Sequence, residues 1–364
     1  MKALIVGTSF LPNYGGPAFS VSGLARALVE AGVAVGLWAP DGSIHTSPIL
    51  GPQFPAQRLG GSLEGALEQF GRPDVLHDNG IWLSHNHALA KLAEARSIPR
   101  IVSLRGMVAP WALNYRRWKK RLAWRLYQKR DLLVAQYHHA TADEEAAHIE
   151  RLGLGVPICV VPNGMHLPTL PPDDGTHVWK ADPNRRRIAL FLGRIHPIKG
   201  LPMLIEAWTR LRPSAWELHI AGPDETGHLS QIEAQIKAGQ LSDKVLILGP
   251  VSDTAKPAVF AQADALVLPT HSENFGMVIA EALAHGIPVL TTKGAPWPML
   301  NERKCGWWVD ASVDGIADGV AALTSCTPAE LRAMGQRGQA LIQEQFGWPR
   351  VGERFVALYE KVIR

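Results

Sequence analysis

Ala265-Leu266-Val267-Leu268-Pro269-Thr270-His271-Ser272-Glu273-Asn274-Phe275-Gly276-Met277-Val278-Ile279-Ala280-Glu281 reads as a buried strand, a turn and an apolar helix in immediate succession. The short apolar run closed by Pro269 predicts the strand, and the run from Gly276 to Ala284 predicts the helix. A strand feeding a helix through a tight corner is the repeating unit of a parallel, doubly wound sheet.

Outward from this corner the same alternation continues. In the second half the strand runs are Ile188–Leu192, Glu217–Ala221, Val245–Leu248, Ala265–Leu268 and Pro288–Thr291, with helices from Leu201, near Leu229–Lys237 and from Gly276. In the first half they are Ala3–Val6, Val33–Trp38, Val75–His77, Ile101–Leu104 and Ile158–Val161, with a helix from about Pro17 to Glu30 stopped by Gly32. Thr141-Ala142-Asp143-Glu144 reads as a capping box opening a helix that closes at Gly153. Pro328–Glu344 and Pro349–Ile363 read as terminal helices. Between the two alternating halves the chain turns aperiodic and rich in Pro, Gly and Asp. The expected division is a Rossmann-like domain over 1–168, a linker over 169–184, a second Rossmann-like domain over 185–345 and a last helix over 346–364. In such α/β sheets ligands bind beyond the carboxyl ends of the strands, so a cleft between the two domains is the expected site.

The corner carries chemistry as well. Glu273 and the backbone N–H groups of Asn274 to Met277 stand where a helix begins, and unpaired amides with the positive end of the helix dipole favour an anion there. Glu281 lies a turn and a half inside the helix. An anion held on one side, with hydroxyls accepted by two carboxylates, describes a sugar nucleotide. The plainer alternative is that Glu273 caps the helix and Glu281 faces solvent. A second loop, Gly193-Arg194-Ile195-His196-Pro197-Ile198-Lys199-Gly200, places two cations after a strand. Arg194 can grip phosphate bidentately and Lys199 supplies a point charge, which together suit a diphosphate leaving group. Ordinary surface charges would look alike in isolation. The glycine-rich turn Ser9 to Ala18 lets a backbone approach a ligand closely, but it is not GxGxxG, and a nicotinamide cofactor is not indicated.

Composition sets the outer limits. The 364 residues, 46% hydrophobic and 19% charged, fit two folded domains rather than one. The three cysteines, Cys159, Cys305 and Cys326, have neither disulfide nor zinc spacing, and a reducing cytoplasm is the expected setting. No run reaches the roughly 18 apolar residues of a membrane span, and the apolar start is too short for a signal peptide. Residues 1–172 carry 17 Lys and Arg against 12 Asp and Glu, and the remainder 20 against 21. Most of the excess falls in Tyr115 to Arg130, where eight cations occur without an acid and Tyr115, Trp118, Leu122 and Leu126 repeat at the spacing of one helical face. The segment reads as a basic amphipathic helix. It suits an anionic membrane surface, or else a solvated face whose apolar side packs on its own domain; nucleic acid is not expected, since no nucleic-acid fold motif accompanies it.

Pro269 to Gly276, followed by Glu281-Ala282-Leu283-Ala284-His285-Gly286-Ile287-Pro288-Val289, resembles the donor-site signature of the retaining, nucleotide-sugar-dependent glycosyltransferases of family 4. Leu192-Gly193-Arg194 followed by Lys199-Gly200 resembles the same family. The resemblance implies a GT-B fold, two facing Rossmann-like domains with the last helix crossing back to the first. It also implies that Glu273 contacts the transferred sugar, Glu281 the ribose, the amides of Asn274, Phe275, Gly276 and Met277 the sugar and phosphate, and Arg194 with Lys199 the diphosphate. Gly15 and Gly16 correspond to glycines lying over the donor phosphates and the acceptor. Base recognition is expected from the backbone around Gly249 to Val251. Many members carry a histidine near position 105 that contacts the donor sugar, where this chain departs with Arg105; an acidic sugar, an acceptor phosphate or the leaving group is its candidate partner, and a structural ion-pair arginine is the plainer alternative. Trp82 is the other candidate contact on that side.

The stretches His77–Trp82 and Arg105–Trp111 look similar to members that build bacterial surface polysaccharide and lipopolysaccharide on lipid-linked acceptors. The expectation is thus a retaining hexosyl transfer from a nucleoside-diphosphate sugar to a glycan or lipid-linked acceptor. No cofactor and no metal are expected, since no Asp-x-Asp motif is present. A nucleotide-sugar epimerase of the same fold and a non-catalytic membrane or nucleic-acid adaptor are the alternatives.

Overall fold

The computed structural model describes residues 1–168 and 185–364; the linker expected over 169–184 lies outside the described residues. The chain forms two compact units, Met1–Gly164 with Phe346–Arg364, and Met165–Gln345.

The first unit is built on the strands β1 (Lys2–Val6), β2 (Ala34–Trp38), β3 (Gln57–Arg58), β4 (Val75–Asn79), β5 (Arg100–Ser103), β6 (Tyr137–Ala140) and β7 (Ile158–Val160). They pair in parallel in the order β3-β2-β1-β4-β5-β6-β7. Both faces are covered, and β1 shows how. Ala3 and Ile5 pack with residues of the helices Gly16–Glu30 and Trp348–Ile363, whereas Leu4 and Val6 pack with residues of Leu63–Phe70 and Ser84–Ala95. A strand buried on both sides needs a continuous apolar run, which is why it is visible in sequence. The terminal helix is locked in by Trp348. A Cβ on Gly23 or Gly164 would lie only 2.1 or 2.2 Å from its indole, so only glycine admits the ring at either position. Truncating such a core tryptophan costs about 3–5 kcal/mol.

The second unit holds β8 (Arg187–Leu192), β9 (Trp216–Ala221), β10 (Val245–Gly249), β11 (Ala265–Leu268), β12 (Val289–Thr292) and β13 (Gly306–Val309), paired in parallel as β10-β9-β8-β11-β12-β13. Trp208 and Trp216 are fully buried in it. Each sheet reverses its winding once, between β1 and β4 in the first unit and between β8 and β11 in the second. Such switch points are where doubly wound sheets take ligands. The loop with Arg194 and Lys199 follows β8 and the loop with Glu273 follows β11; in the first unit Gly15 follows β1, Trp82 follows β4 and Arg105 follows β5.

Three local expectations are corrected. The sequence reading omits β6, because Tyr137-His138-His139-Ala140 looks polar. His138 and His139 are nevertheless buried, their ring nitrogens bonded to the carbonyl oxygens of Leu132 and Val161 at 3.1 and 2.7 Å. The helix after β6 begins only at Asp143, so the residue that reaches back is Glu145 rather than Glu144: it accepts from the backbone N–H and hydroxyl of Thr141 at 2.7 and 2.8 Å. The basic segment is not one regular helix over 115–130. Tyr115 lies outside it, Arg116 is left-handed, and an α-helix over Arg117–Ala123 runs into a π-turn over Trp124–Gln128 before the helix Lys129–Leu133. Its apolar face does not pack inward: Trp118 and Leu126 are 68% and 71% exposed. No helix among the described residues is long and apolar enough to cross a membrane.

Candidate functional site

In the second unit the loops after β8 and β11 are stitched together. The backbone N–H of His271 and the hydroxyl of Thr270 both donate to the carbonyl oxygen of Ile198, at 2.7 and 3.1 Å. His196 accepts from the N–H of Ile198 and shapes the short turn Pro197–Lys199. Gly200 makes the approach possible. Its φ is +69°, and a Cβ there would lie 1.9 Å from the carbonyl oxygen of Pro269, so any other residue would drive the loops apart. From the far side the N–H of Glu273 donates to the carbonyl oxygen of Gly294 at 2.7 Å.

The outcome is one contact between residues 74 apart in sequence: Lys199 Nζ donates to Glu273 Oε1, and each side chain is only 14% exposed. Glu273 therefore does not cap the following helix, Met277–Ala284, whose N-cap is Gly276. Glu281 lies on that helix and meets Lys256 Nζ at 3.4 Å, which also pairs with Asp253 at 2.9 Å. Burial works against the charge on Lys256, but Glu281 and Asp253 more than offset it and hold its pKa above the ordinary lysine value. Arg194 pairs instead with Glu225 at 2.8 Å and is more exposed than Lys199. Phe275 turns its ring into the core against Trp297, whose indole N–H donates to the Phe275 carbonyl oxygen at 2.5 Å. Asn274 and Met277 remain half-buried, as does Val251 in the loop after β10. The roles of Lys256 toward Glu281 and of Glu225 toward Arg194 are not legible in the sequence, because 25 and 31 residues separate the partners.

In the first unit Gly15, with φ +80° and open space where a Cβ would stand, precedes Gly16 at the start of the helix Gly16–Glu30. Arg105 sits in a left-handed backbone conformation, φ +52°. Its guanidinium donates to Asn79 Oδ1 at 2.6 and 3.2 Å, to Asn163 Oδ1 at 2.8 Å and to the Ser20 hydroxyl at 3.4 Å. Its hydrogen-bond partners are all neutral oxygens, and burial pulls its pKa down to about 10 against the opposing charge of the nearby Glu145 carboxylate. The turn is pinned by Glu145, which accepts from the N–H of Gly106 at 2.6 Å.

Behind it runs a buried chain: Tyr359 to His77 at 2.6 Å, His77 to Ser103 at 2.7 Å and Ser103 to His139 at 2.6 Å. Burial holds His77 well below the ordinary imidazole value and His139 at about 3, so both are neutral packing groups. His87 pairs with Asp131 at 2.9 Å. Trp82 has φ +79° and bonds through its backbone and indole to Gln128, Tyr127 and Met107.

Comparison with known proteins fits this layout. Residues 176–340 match the family model described as "Glycosyl transferases group 1", and residues 15–164 match the "Glycosyl transferase 4-like domain". A curated relative from Segniliparus rotundus, a D-inositol 3-phosphate glycosyltransferase, is 31% identical over 64% of this chain and 54% of its own length. The aligned chain thus spans about half of that relative. Among solved structures, sucrose-phosphate synthase from Thermosynechococcus elongatus superposes with a TM-score of 0.77 at 19% identity, covering 100% of this chain and 99% of that one. The Anabaena protein Alr3699/HepE, solved with UDP and glucose, has a TM-score of 0.73 at 18% identity, covering 99% of this chain and 100% of that one. At such identities these structures speak for the fold. With a glycosyltransferase model on each half and the fold of GT-B enzymes throughout, the chain belongs to the GT-B glycosyltransferases of family 4.

Proposed function

We propose that the chain moves a hexose-like sugar, with retention at its anomeric carbon, from a nucleoside diphosphate to a hydroxyl of a glycan or lipid-linked acceptor in surface-polysaccharide assembly. The observation that carries this reading is the stitched pair of loops that sets Lys199 against Glu273 at the winding switch of the second sheet. An ammonium and a carboxylate side by side match the two ends of a sugar diphosphate: the diphosphate takes Lys199 and Arg194, and Glu273 is freed to accept from sugar hydroxyls. Glu281, held by Lys256, is proposed to accept from the ribose, and the amides of Asn274 to Met277 to face the sugar and phosphate. Backbone around Val251 is proposed to meet the base.

In the proposed reaction the bond from the anomeric carbon to the diphosphate oxygen breaks and the acceptor oxygen bonds to the same face. The acceptor proton passes to the departing diphosphate. Lys199 and Arg194 stabilise the charge growing on that group, and Glu273 supports the positive charge at the anomeric carbon. This same-face transfer needs no second carboxylate, as a double displacement would, and no metal is needed where two cations already meet the diphosphate. In the first unit, Gly15 and Gly16 offer an open backbone turn.

A second reading of the acceptor, a small phosphorylated polyol, is favoured by Arg105, a cation held only by neutral oxygens among the described residues. The name of the Segniliparus relative also specifies a phosphorylated acceptor. The test is turnover of UDP-, GDP-, ADP- and dTDP-sugars with and without acceptor, in chelator, followed by proton NMR of the anomeric signal. Release of nucleoside diphosphate with a new, configuration-retained linkage supports the reading. An epimer formed without acceptor would mark an epimerase, and an intact donor under every condition would mark an adaptor.

A further inference from the structure

The buried chain behind Arg105 can be resolved proton by proton. The carbonyl oxygen of Val161 only accepts, so His139 donates to it through Nε2–H. Burial keeps His139 and His77 neutral and the Tyr359 phenol protonated, which leaves His139 Nδ1 as an acceptor. The Ser103 hydroxyl therefore spends its single proton on His139 and accepts from His77 Nε2–H, and His77 Nδ1 accepts from the Tyr359 hydroxyl. Each junction carries one proton, donated in one direction from Tyr359 to Val161. Tyr359 is the head of the chain.

Register ties this tier to the Arg105 cluster. His77, Ser103, His139 and Val161 stand on, or one residue beyond, the neighbouring strands β4, β5, β6 and β7. Two residues further along come Asn79, Arg105, Thr141 and Asn163. Asn79 and Asn163 accept from the Arg105 guanidinium, and Glu145 bridges Thr141 to the backbone N–H of Gly106, the residue after Arg105. Two hydrogen-bonded tiers thus cross the same strand ends, a short step apart.

The last helix, Trp348–Ile363, closes the first tier. It supplies the Tyr359 hydroxyl, and one turn earlier Phe355 packs its ring against both imidazoles, with centroids 5.4 Å from His77 and 4.9 Å from His139. All of these side chains are buried. A hydrogen-bonded layer satisfied at every member fixes the spacing of the elements it joins.

We propose that Tyr359 is a positioning residue: by heading the first tier it fixes the strand ends that carry Asn79 and Asn163, and with them the guanidinium they aim, so that the last helix sets how firmly the first unit holds an anionic group. The inference rests on the reading of Arg105 as the holder of such a group. A phenol that only filled the core would give way to phenylalanine with some loss of stability and no effect at Arg105.

Nitrogen-15 NMR of the full chain, labelled at arginine, tests this at the site. The Arg105 Nε–H signal, assigned by its loss in Arg105→Met, should exchange slowly with water and shift to saturation with inorganic phosphate as the probe. Tyr359→Phe removes one hydroxyl and keeps the ring. It should speed that exchange and weaken phosphate roughly 2- to 30-fold, the range over which residues remote from a ligand modulate its binding. Ser103→Ala, which interrupts the tier further along, should repeat both changes. Val362→Ala, buried on the same helix, should lower the melting temperature and leave both readouts at their wild-type values. Unchanged exchange and affinity in Tyr359→Phe and Ser103→Ala, or the same changes in Val362→Ala, overturns the positioning role. A wild-type Arg105 signal that phosphate does not move overturns the anion reading instead, and the proposal with it.

Discussion

The two units treat charge in opposite ways. In the second unit the cations of the candidate site are each answered by a carboxylate, Lys199 by Glu273 and Lys256 by Glu281, in half-buried surroundings. In the first unit Arg105 is equally withdrawn from water, yet it rests on Asn79, Asn163 and Ser20, all neutral. A matched pair suits a ligand that brings an anion to the cation and hydroxyls to the carboxylate, so that both halves of the pair are used. An unmatched cation suits a ligand that is simply negative. On the proposed reading, that asymmetry matches the donor to the second unit and an anionic group to the first.

The contrast breaks most sharply under substitution. Glu273→Ala should lower kcat on the order of 10²–10³-fold, the usual cost of removing one preorganised charge-stabilising group. It should also destabilise the fold by about 1–3 kcal/mol by leaving Lys199 half-buried without its partner; steady-state kinetics and denaturant unfolding read the two effects. Arg105→Met should behave differently. Transfer should fall roughly 10- to 100-fold through loss of charged hydrogen bonds, while the unfolding free energy changes less than in Glu273→Ala, because relief of a desolvated charge offsets part of the cost of leaving the Asn79 and Asn163 oxygens without a donor. Equal destabilisation by the two variants would erase the distinction.

The same neighbourhood predicts a pH effect. Burial, with the nearby Arg105 cation adding to it, holds His139 at about 3, whereas the unfolded chain protonates it below about 6.5. The native state therefore binds fewer protons, and the stability due to the neutral ring is present above about 6.5 and lost as the pH falls toward 3. His139→Gln should flatten the slope of unfolding free energy against pH by about 1.4 kcal/mol per unit between roughly pH 6 and 4. Urea titrations at a series of pH values measure it, and an unchanged slope would mean the ring is charged in the fold. The smallest effect belongs to Glu225→Ala. Its pair with Arg194 is half-exposed on both sides, and such pairs contribute about 0–1 kcal/mol. Activity should survive this variant and fall in Arg194→Ala.

How far the sequence carried depended on whether a feature was local. Strands such as Ala265–Leu268 were legible because burial on both faces demands an unbroken apolar run, and corners such as Gly276 because a positive φ selects glycine. β6 was hidden since its histidines are satisfied by partners, among them Ser103 and Val161, that no local pattern reveals. At the site, Arg194, Lys199 and Glu273 could be named from their motifs. Their pairing could not, because it depends on Ile198, Thr270 and His271 joining two loops across neighbouring strands. The Lys256–Glu281 contact was invisible for the same reason. The apolar stripe at Trp118, Leu122 and Leu126 was readable as a stripe, but that it faces outward was not, because an apolar face is the same in sequence whether it packs inward or stays exposed.

Donor binding by the second unit is the property on which the proposed transfer depends. Calorimetric titration of the wild-type chain with UDP-, GDP-, ADP- and dTDP-sugars, repeated on Lys199→Ala and Arg194→Ala, tests it directly. One donor class should bind at a single site, and each variant should weaken it by roughly 10- to 100-fold, the worth of a charge-assisted hydrogen bond. Absence of binding by every donor, or binding that both variants leave untouched, would contradict it.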